Sequence, residues 1–146
     1  MPAGSALGAR RSVAIERQEA MRLLAGVPFG RVVYTTDALP AVRPVNHVIG
    51  ASGSVIVRTR PFRGLDPSVM RGRSVVVAYE ADDIDPVARL GWSVVITGLA
   101  RVVLAPERVA EYADKLSPWV DRSSGVFIEI EPTLVSGIRL VEEAGP

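Results

Sequence analysis

"GWSVVITGLARVVL", Gly91 to Leu104, is a run of β-forming residues interrupted inside by a single glycine, Gly98. Valine, isoleucine, threonine and tryptophan suit the pleated, half-buried surface of a strand. A glycine within such a run predicts a bulge or a bend rather than an end. Long bent strands let small barrels turn corners, so the stretch points to a curved antiparallel sheet.

The flanking sequence supplies the rest of that sheet. "RVVYTT" from Arg31, "PAVRPVNHVI" from Pro40, "SVIVRT" from Ser54 and "SVVVAYEA" from Ser74 are rich in branched and aromatic residues, and the turn-like "DALP" and "GASG" separate the first three. "GVFIEIEP" and "TLVSGIRLV" predict two closing strands. "ERQEAMRLLAG" predicts a helix with Ala20, Met21, Leu23 and Leu24 on one side and Gly26 as a left-handed cap. "APERVAEYADKL" predicts another, led by Pro106, with Val109, Tyr112, Ala113 and Leu116 along one face. Asp66 and Pro67 suggest the entry of a short helix within "GLDPSVMRG". Helix, three strands, short helix, two strands, helix and two strands make a mainly β, α+β chain. The expected fold is an antiparallel barrel with flanking helices, not a doubly wound sheet. Residues 1–14 lack periodicity and read as a flexible N-terminal arm, and 15–146 as a single domain.

Composition narrows the chemistry. Cysteine is absent and His47 is the only histidine, so thiolate chemistry and imidazole-rich metal sites are closed. Residues 1–73 carry eleven arginines and four carboxylates, whereas 74–146 carry six basic and twelve acidic residues. The acidic half opposes phosphate approach, which argues against nucleic acid as a partner. No apolar run is long enough for a membrane span, and the expected location is cytoplasmic. Lys115 is the only lysine, a narrow basis for Schiff-base chemistry. Dinucleotide, P-loop and hydrolase-elbow motifs are all missing. "EADDIDP", Glu80 to Pro86, reads as a solvated acidic connection, since it lacks the glycine and terminal glutamate of a calcium loop. Trp119 reads as a packing residue.

"VIVRTRPFRG", Val55 to Gly64, places Arg58, Arg60 and Arg63 around a strand end, with Thr59 on the face opposite Arg58 and Arg60. Guanidinium groups, a hydroxyl and the amides of a following helix are the parts that hold a phosphate monoester. Pattern alone favours the plainer reading, an exposed strand end facing water. Asn46, between Val45 and His47, is a polar amide in an apolar strand and needs partners if buried. His47 is either a ligand contact or a neutral, hydrogen-bonded barrel residue, and Trp92 either flanks a ligand or packs in a core or dimer contact.

"LLAGVPFGRVVYT", "PAVRPVNHVI", "VIVRTR", "VVVAYEADDIDP", "GWSVVITGLARVV", "PWV" and "EIEPTLVSGIRL" together resemble the FMN-binding split β-barrel family related to pyridoxamine 5′-phosphate oxidase, from about Ile15 to Leu140. The resemblance implies a homodimer with FMN in clefts that use both chains. It implies that Val45, Asn46 and His47 run beside the isoalloxazine ring and that Arg58 and Thr59 approach the ribityl chain and phosphate. Trp92 and Ser93 would reach the flavin from the facing protomer. Relatives commonly carry a phosphate-binding lysine after the "RT" segment; here Gly64 stands near that position, and Arg63 is the implied substitute. The implied function is an FMN-dependent oxidoreductase passing hydride or electrons to a small organic acceptor. The alternatives on the same scaffold are a deazaflavin (F420)-dependent reductase, a haem or other non-catalytic ligand-binding or sensor protein, and a structural dimerisation module.

Overall fold

A computed structural model of the chain describes residues 8–60, 73–117 and 125–144. Its elements are β1 (Arg10–Ala14), α1 (Arg17–Ala25), β2 (Phe29–Thr36), β3 (Leu39–Ile49), β4 (Val55–Thr59), β5 (Val75–Asp85), β6 (Leu90–Val102), α2 (Pro106–Lys115) and β7 (Val126–Glu142). Every pairing is antiparallel. The strand order is β1-β7-β4-β3-β2-β5-β6, and β6 pairs back onto β7. Six strands therefore close a ring, to which β1 adds from outside along β7. This is the antiparallel barrel expected from the sequence.

Gly98 is where the ring bends. Thr97 pairs with Leu134 but Gly98 pairs with Pro132, so Thr133 is the extra residue of a bulge. A Cβ on Gly98 would lie 1.8 Å from the carbonyl oxygen of Glu131, which no side chain tolerates. Pro132 sits in the same distortion, and the two predicted closing strands are consequently one strand of 17 residues, β7. A proline that lacks an N–H is accommodated where the ladder is already disrupted.

Alternation sorts the side chains. Val32, Val45, Val57, Tyr79, Val94 and Ile130 are among the inward residues that fill the barrel, and Ala20 and Leu24 of α1 complete that core with no exposed surface. Burying a leucine of this kind contributes about 1.5–3 kcal/mol. α2 packs outside instead, where Tyr112 and Leu116 meet Ile56, Val103 and Phe127. Pro106 opens α2 as expected, whereas Ala113 is exposed.

Three further expectations change. Residues 10–14, assigned to the loose arm, form β1, whose register runs from Arg10 opposite Glu142 to Ala14 opposite Ile138. Gly26 is not left-handed: at φ −83° and ψ −6° it continues the right-handed turn. The acidic stretch is not a connection, because β5 carries it as far as Asp85, paired with β6 from Ala81 opposite Val94 to Asp85 opposite Leu90. Its outward positions face an open surface, which lets carboxylates occupy a strand. The short helix expected around Asp66 and Pro67 lies outside the described residues, as does Trp119. Among the described residues no helix is long and apolar enough to cross a membrane.

Candidate functional site

β3 outruns its neighbour. It pairs with β2 from Leu39 to Asn46, but with β4 only from Asn46 to Ile49, because β4 stops at Thr59. Among the described residues no strand covers the β4 side of Arg43 to Val45. At this opening Arg43 Nη1 donates to Thr59 Oγ1 at 3.2 Å and to the Arg60 carbonyl at 3.0 Å. The Arg43 guanidinium also lies 5.9 Å from the centre of the Tyr34 ring. A cation, a buried hydroxyl and the backbone carbonyl of the exposed Arg60 thus meet at one strand end.

Arg43 is absent from the sequence-derived site. The signal for it was its place two residues before Val45 on the inward side of β3, where an arginine can sit only near a barrel mouth. Its pairing with Thr59 depends on the β3–β4 register, which spacing alone does not give.

Arg58 points the other way. Its Nη1 donates to the Leu116 carbonyl at 2.9 Å, and its guanidinium carbon lies 4.9 Å from the centre of the Phe127 ring. Its Nε is buried with no hydrogen-bond partner among the described residues. A Cβ at Gly125 would come within 2.8 Å of that nitrogen, so a larger residue there would displace the Arg58 side chain. Arg58 and Thr59 therefore serve opposite faces of β4: Thr59 the barrel mouth, Arg58 the end of α2. Arg63 and Gly64 lie outside the described residues.

Asn46 lies directly opposite Arg58 across the ladder. Its Nδ2 donates to the Ser117 carbonyl at 2.8 Å. It lines a groove of ≈ 560 Å³ between the turn after α1, the middle of β3 and the end of α2, with Pro28, Val48, Lys115 and Leu116 around it. Lys115 is held toward Glu111 at 3.2 Å. Val45 and His47 flank Asn46 but turn inward and are 4% exposed.

His47 is a core residue. Its Nε2 contacts the Leu24 carbonyl at 2.8 Å and its Nδ1 the Tyr79 hydroxyl at 2.5 Å. A carbonyl only accepts, so Nε2 carries the proton and Nδ1 accepts from Tyr79. Burial lowers the imidazole pKa, partly offset by the Leu24 carbonyl. Burial also raises that of the Tyr79 phenol, so the pair stays neutral. The backbone N–H of His47 donates to the Pro28 carbonyl at 3.1 Å. The residue ties the α1 turn to the sheet and so shapes one wall of the groove.

Trp92 and Ser93 lie on β6, opposite Asp83 and Asp82 on β5 and Arg139 and Ile138 on β7. Trp92 is buried in the barrel core of its own chain, while Ser93 is half-buried and faces outward. On that outer face Arg31 Nη1 bridges Glu80 at 3.1 Å and Asp82 at 3.3 Å. Burial first, and then the Asp82 carboxylate, push the Glu80 pKa up to about 7 against the pull of Arg31. One Glu80 oxygen, Oε1, is buried without a hydrogen-bond partner among the described residues.

Comparison with known proteins places this architecture. The family model described as pyridoxamine 5′-phosphate oxidase matches residues 16–139. The uncharacterized protein Rv0080 of Mycobacterium tuberculosis is 52% identical over 138 residues, which cover 93% of this chain and 90% of that protein. A provisionally assigned pyridoxamine 5′-phosphate oxidase of Corynebacterium glutamicum superposes with a TM-score of 0.71 at 26% identity, covering 91% of this chain and 96% of its own. The FAD binding protein of Mycobacterium smegmatis gives 0.66 at 30% identity, covering 89% of this chain and all of its own. With a closed antiparallel barrel and a family match over most of its length, the chain belongs to the pyridoxamine 5′-phosphate oxidase family.

Proposed function

We propose that the chain is a homodimeric flavoprotein that binds FMN and passes hydride or electrons to a small organic acceptor. The observation that carries this reading is the corner where β4 ends, with Arg43, Thr59 and Arg60 gathered beside the uncovered edge of β3. It offers a phosphate the Arg43 guanidinium and the Thr59 hydroxyl. By resemblance, Arg63 is the substitute for the family's phosphate lysine.

In this reading Arg43, Thr59 and Arg60 hold the phosphate, and Asn46 meets the hydrogen-bonding edge of the ring. Ser93, outward on β6, serves the cleft of the second copy, with Trp92 behind it. The flavin itself supplies hydride and electron transfer when bound, and the protein supplies orientation and charge. His47 takes no part in proton transfer, since both ring nitrogens are engaged. The FAD binding protein at 30% identity favours a second reading, in which the ligand is the dinucleotide flavin.

Titration with FMN, FAD and reduced deazaflavin, followed by flavin fluorescence or absorbance, tests the proposal. Arg43→Ala should weaken FMN binding by about 10- to 100-fold, the equivalent of one charge-assisted hydrogen bond. Exposed Arg11→Ala should leave it unchanged. Wild-type protein that takes up neither FMN nor FAD would sink the reading. Uptake of reduced deazaflavin alone would replace the cofactor.

A further inference from the structure

The outer face of β2, β5 and β6 has neither helix built onto it. The buried residues of α1 point into the barrel, and those of α2 pack over Ile56 and Phe127. Register places Glu80 at the centre of the face, with Arg31 beside it on β2 and Val95 on β6. Around them Val76, Ile84 and Val95 are exposed, Val76 to 67%. An apolar surround with both signs of charge at its centre is complementary to a reversed copy of itself. A two-fold axis through this face would set the arginine of one protomer against the carboxylates of the other.

The charges do not balance. The groups facing Glu80 are Arg31 from β2 and Asp82 from its own strand, while β6 presents Val95 and Ser93, which carry no charge. Each protomer thus brings two carboxylates and one guanidinium. Pairing two such faces would seal four carboxylates with two arginines away from water, an excess of negative charge that burial penalises. We propose that the homodimer of this chain forms through the outer face of β2, β5 and β6, and that each protomer takes up a proton at Glu80 when it forms. This rests on the homodimer of the proposed function and adds its regulation.

The sign and size follow from linkage. In the isolated chain Glu80 is held up to about 7. Dimerisation buries it further and raises it again, so the dimer binds more protons than two monomers. Association is then at full strength below about 7 and weakens as pH rises through that value. With one proton per protomer, dissociation at pH 8 should be up to about 100-fold easier than at pH 6. The buried Oε1 of Glu80, which has no hydrogen-bond partner among the described residues, is where such a proton would reside.

Sedimentation equilibrium of the full chain without added flavin, at pH 6, 7 and 8, tests this. The expected result is a dimer that loosens with pH in wild type. In Glu80→Gln it should change by less than about threefold, because the titrating group is gone. Asp82→Asn, which removes the competing carboxylate, should also flatten the profile. A dimer of equal strength at every pH overturns the proton linkage and leaves the homodimer standing. PH dependence that persists in Glu80→Gln assigns it to another group and overturns the role of Glu80. A monomer at every pH overturns both.

Discussion

Replacing Arg58 with alanine separates two roles that the sequence alone cannot tell apart. In the structure this guanidinium joins the end of α2 to the sheet, through one hydrogen bond to the Leu116 carbonyl and its stacking on Phe127. A hydrogen bond from a charged donor contributes roughly 1.5–3 kcal/mol. A partly buried cation over an aromatic face adds about 0.5–2 kcal/mol. Allowing for overlap between the two, Arg58→Ala should cost about 2–4 kcal/mol. For a chain of this size that is a fall in Tm of roughly 5–15 °C. Urea unfolding followed by circular dichroism measures the loss, and hydrogen exchange locates it. Amides in the last turn of α2 should exchange faster, while those of β5 should not. Arg58→Lys keeps the charge but not the planar stack, and should recover only part of the loss. A destabilisation under about 0.5 kcal/mol with unchanged α2 exchange would refute the structural role and return Arg58 to ligand binding alone.

Two further outcomes are expected. Gly98→Ala should destabilise the barrel by at least about 3 kcal/mol, since its Cβ meets the Glu131 backbone at 1.8 Å; a melting point within a degree of wild type would contradict the bulge. The His47 imidazole, the only one in the chain, should titrate below its usual value of 6.5 by proton NMR. Because the unfolded state then binds the proton more readily, the stability linked to His47 is complete above about 6.5 and falls as pH drops below it. A midpoint at or above 6.5 would contradict its burial against Leu24 and Tyr79.

The barrel was legible in the sequence because runs rich in branched and aromatic residues follow one another with turn signals between the first three, and the bend at Gly98 because a lone glycine in a β run has few other uses. What the sequence concealed depended on register. Pro132 looks like a strand break until Gly98 is placed opposite it. The acidic residues after Tyr79 look like a loop unless the outer face of β5 is known to be open. Arg58 and Thr59 were rightly set on opposite faces, yet only the position of α2 shows that Arg58 is committed to Leu116. Arg43 was missed because its partner, Thr59, is brought to it by strand pairing and not by proximity along the chain. For His47 the sequence allowed both a ligand contact and a satisfied core residue, and the hydrogen bonds to Leu24 and Tyr79 show both ring nitrogens satisfied within the core.

The 17 residues of β7 bear on how the protein is made. β4 and β6 each have β7 as a partner, and it is the last strand in chain order. Until the ribosome has delivered it, β4-β3-β2-β5-β6 is an open sheet with two bare edges, each a template for pairing with a neighbouring nascent chain. Polypeptides truncated before Val126 should therefore accumulate as aggregates, and crowded polysomes are where this fold is most exposed to error.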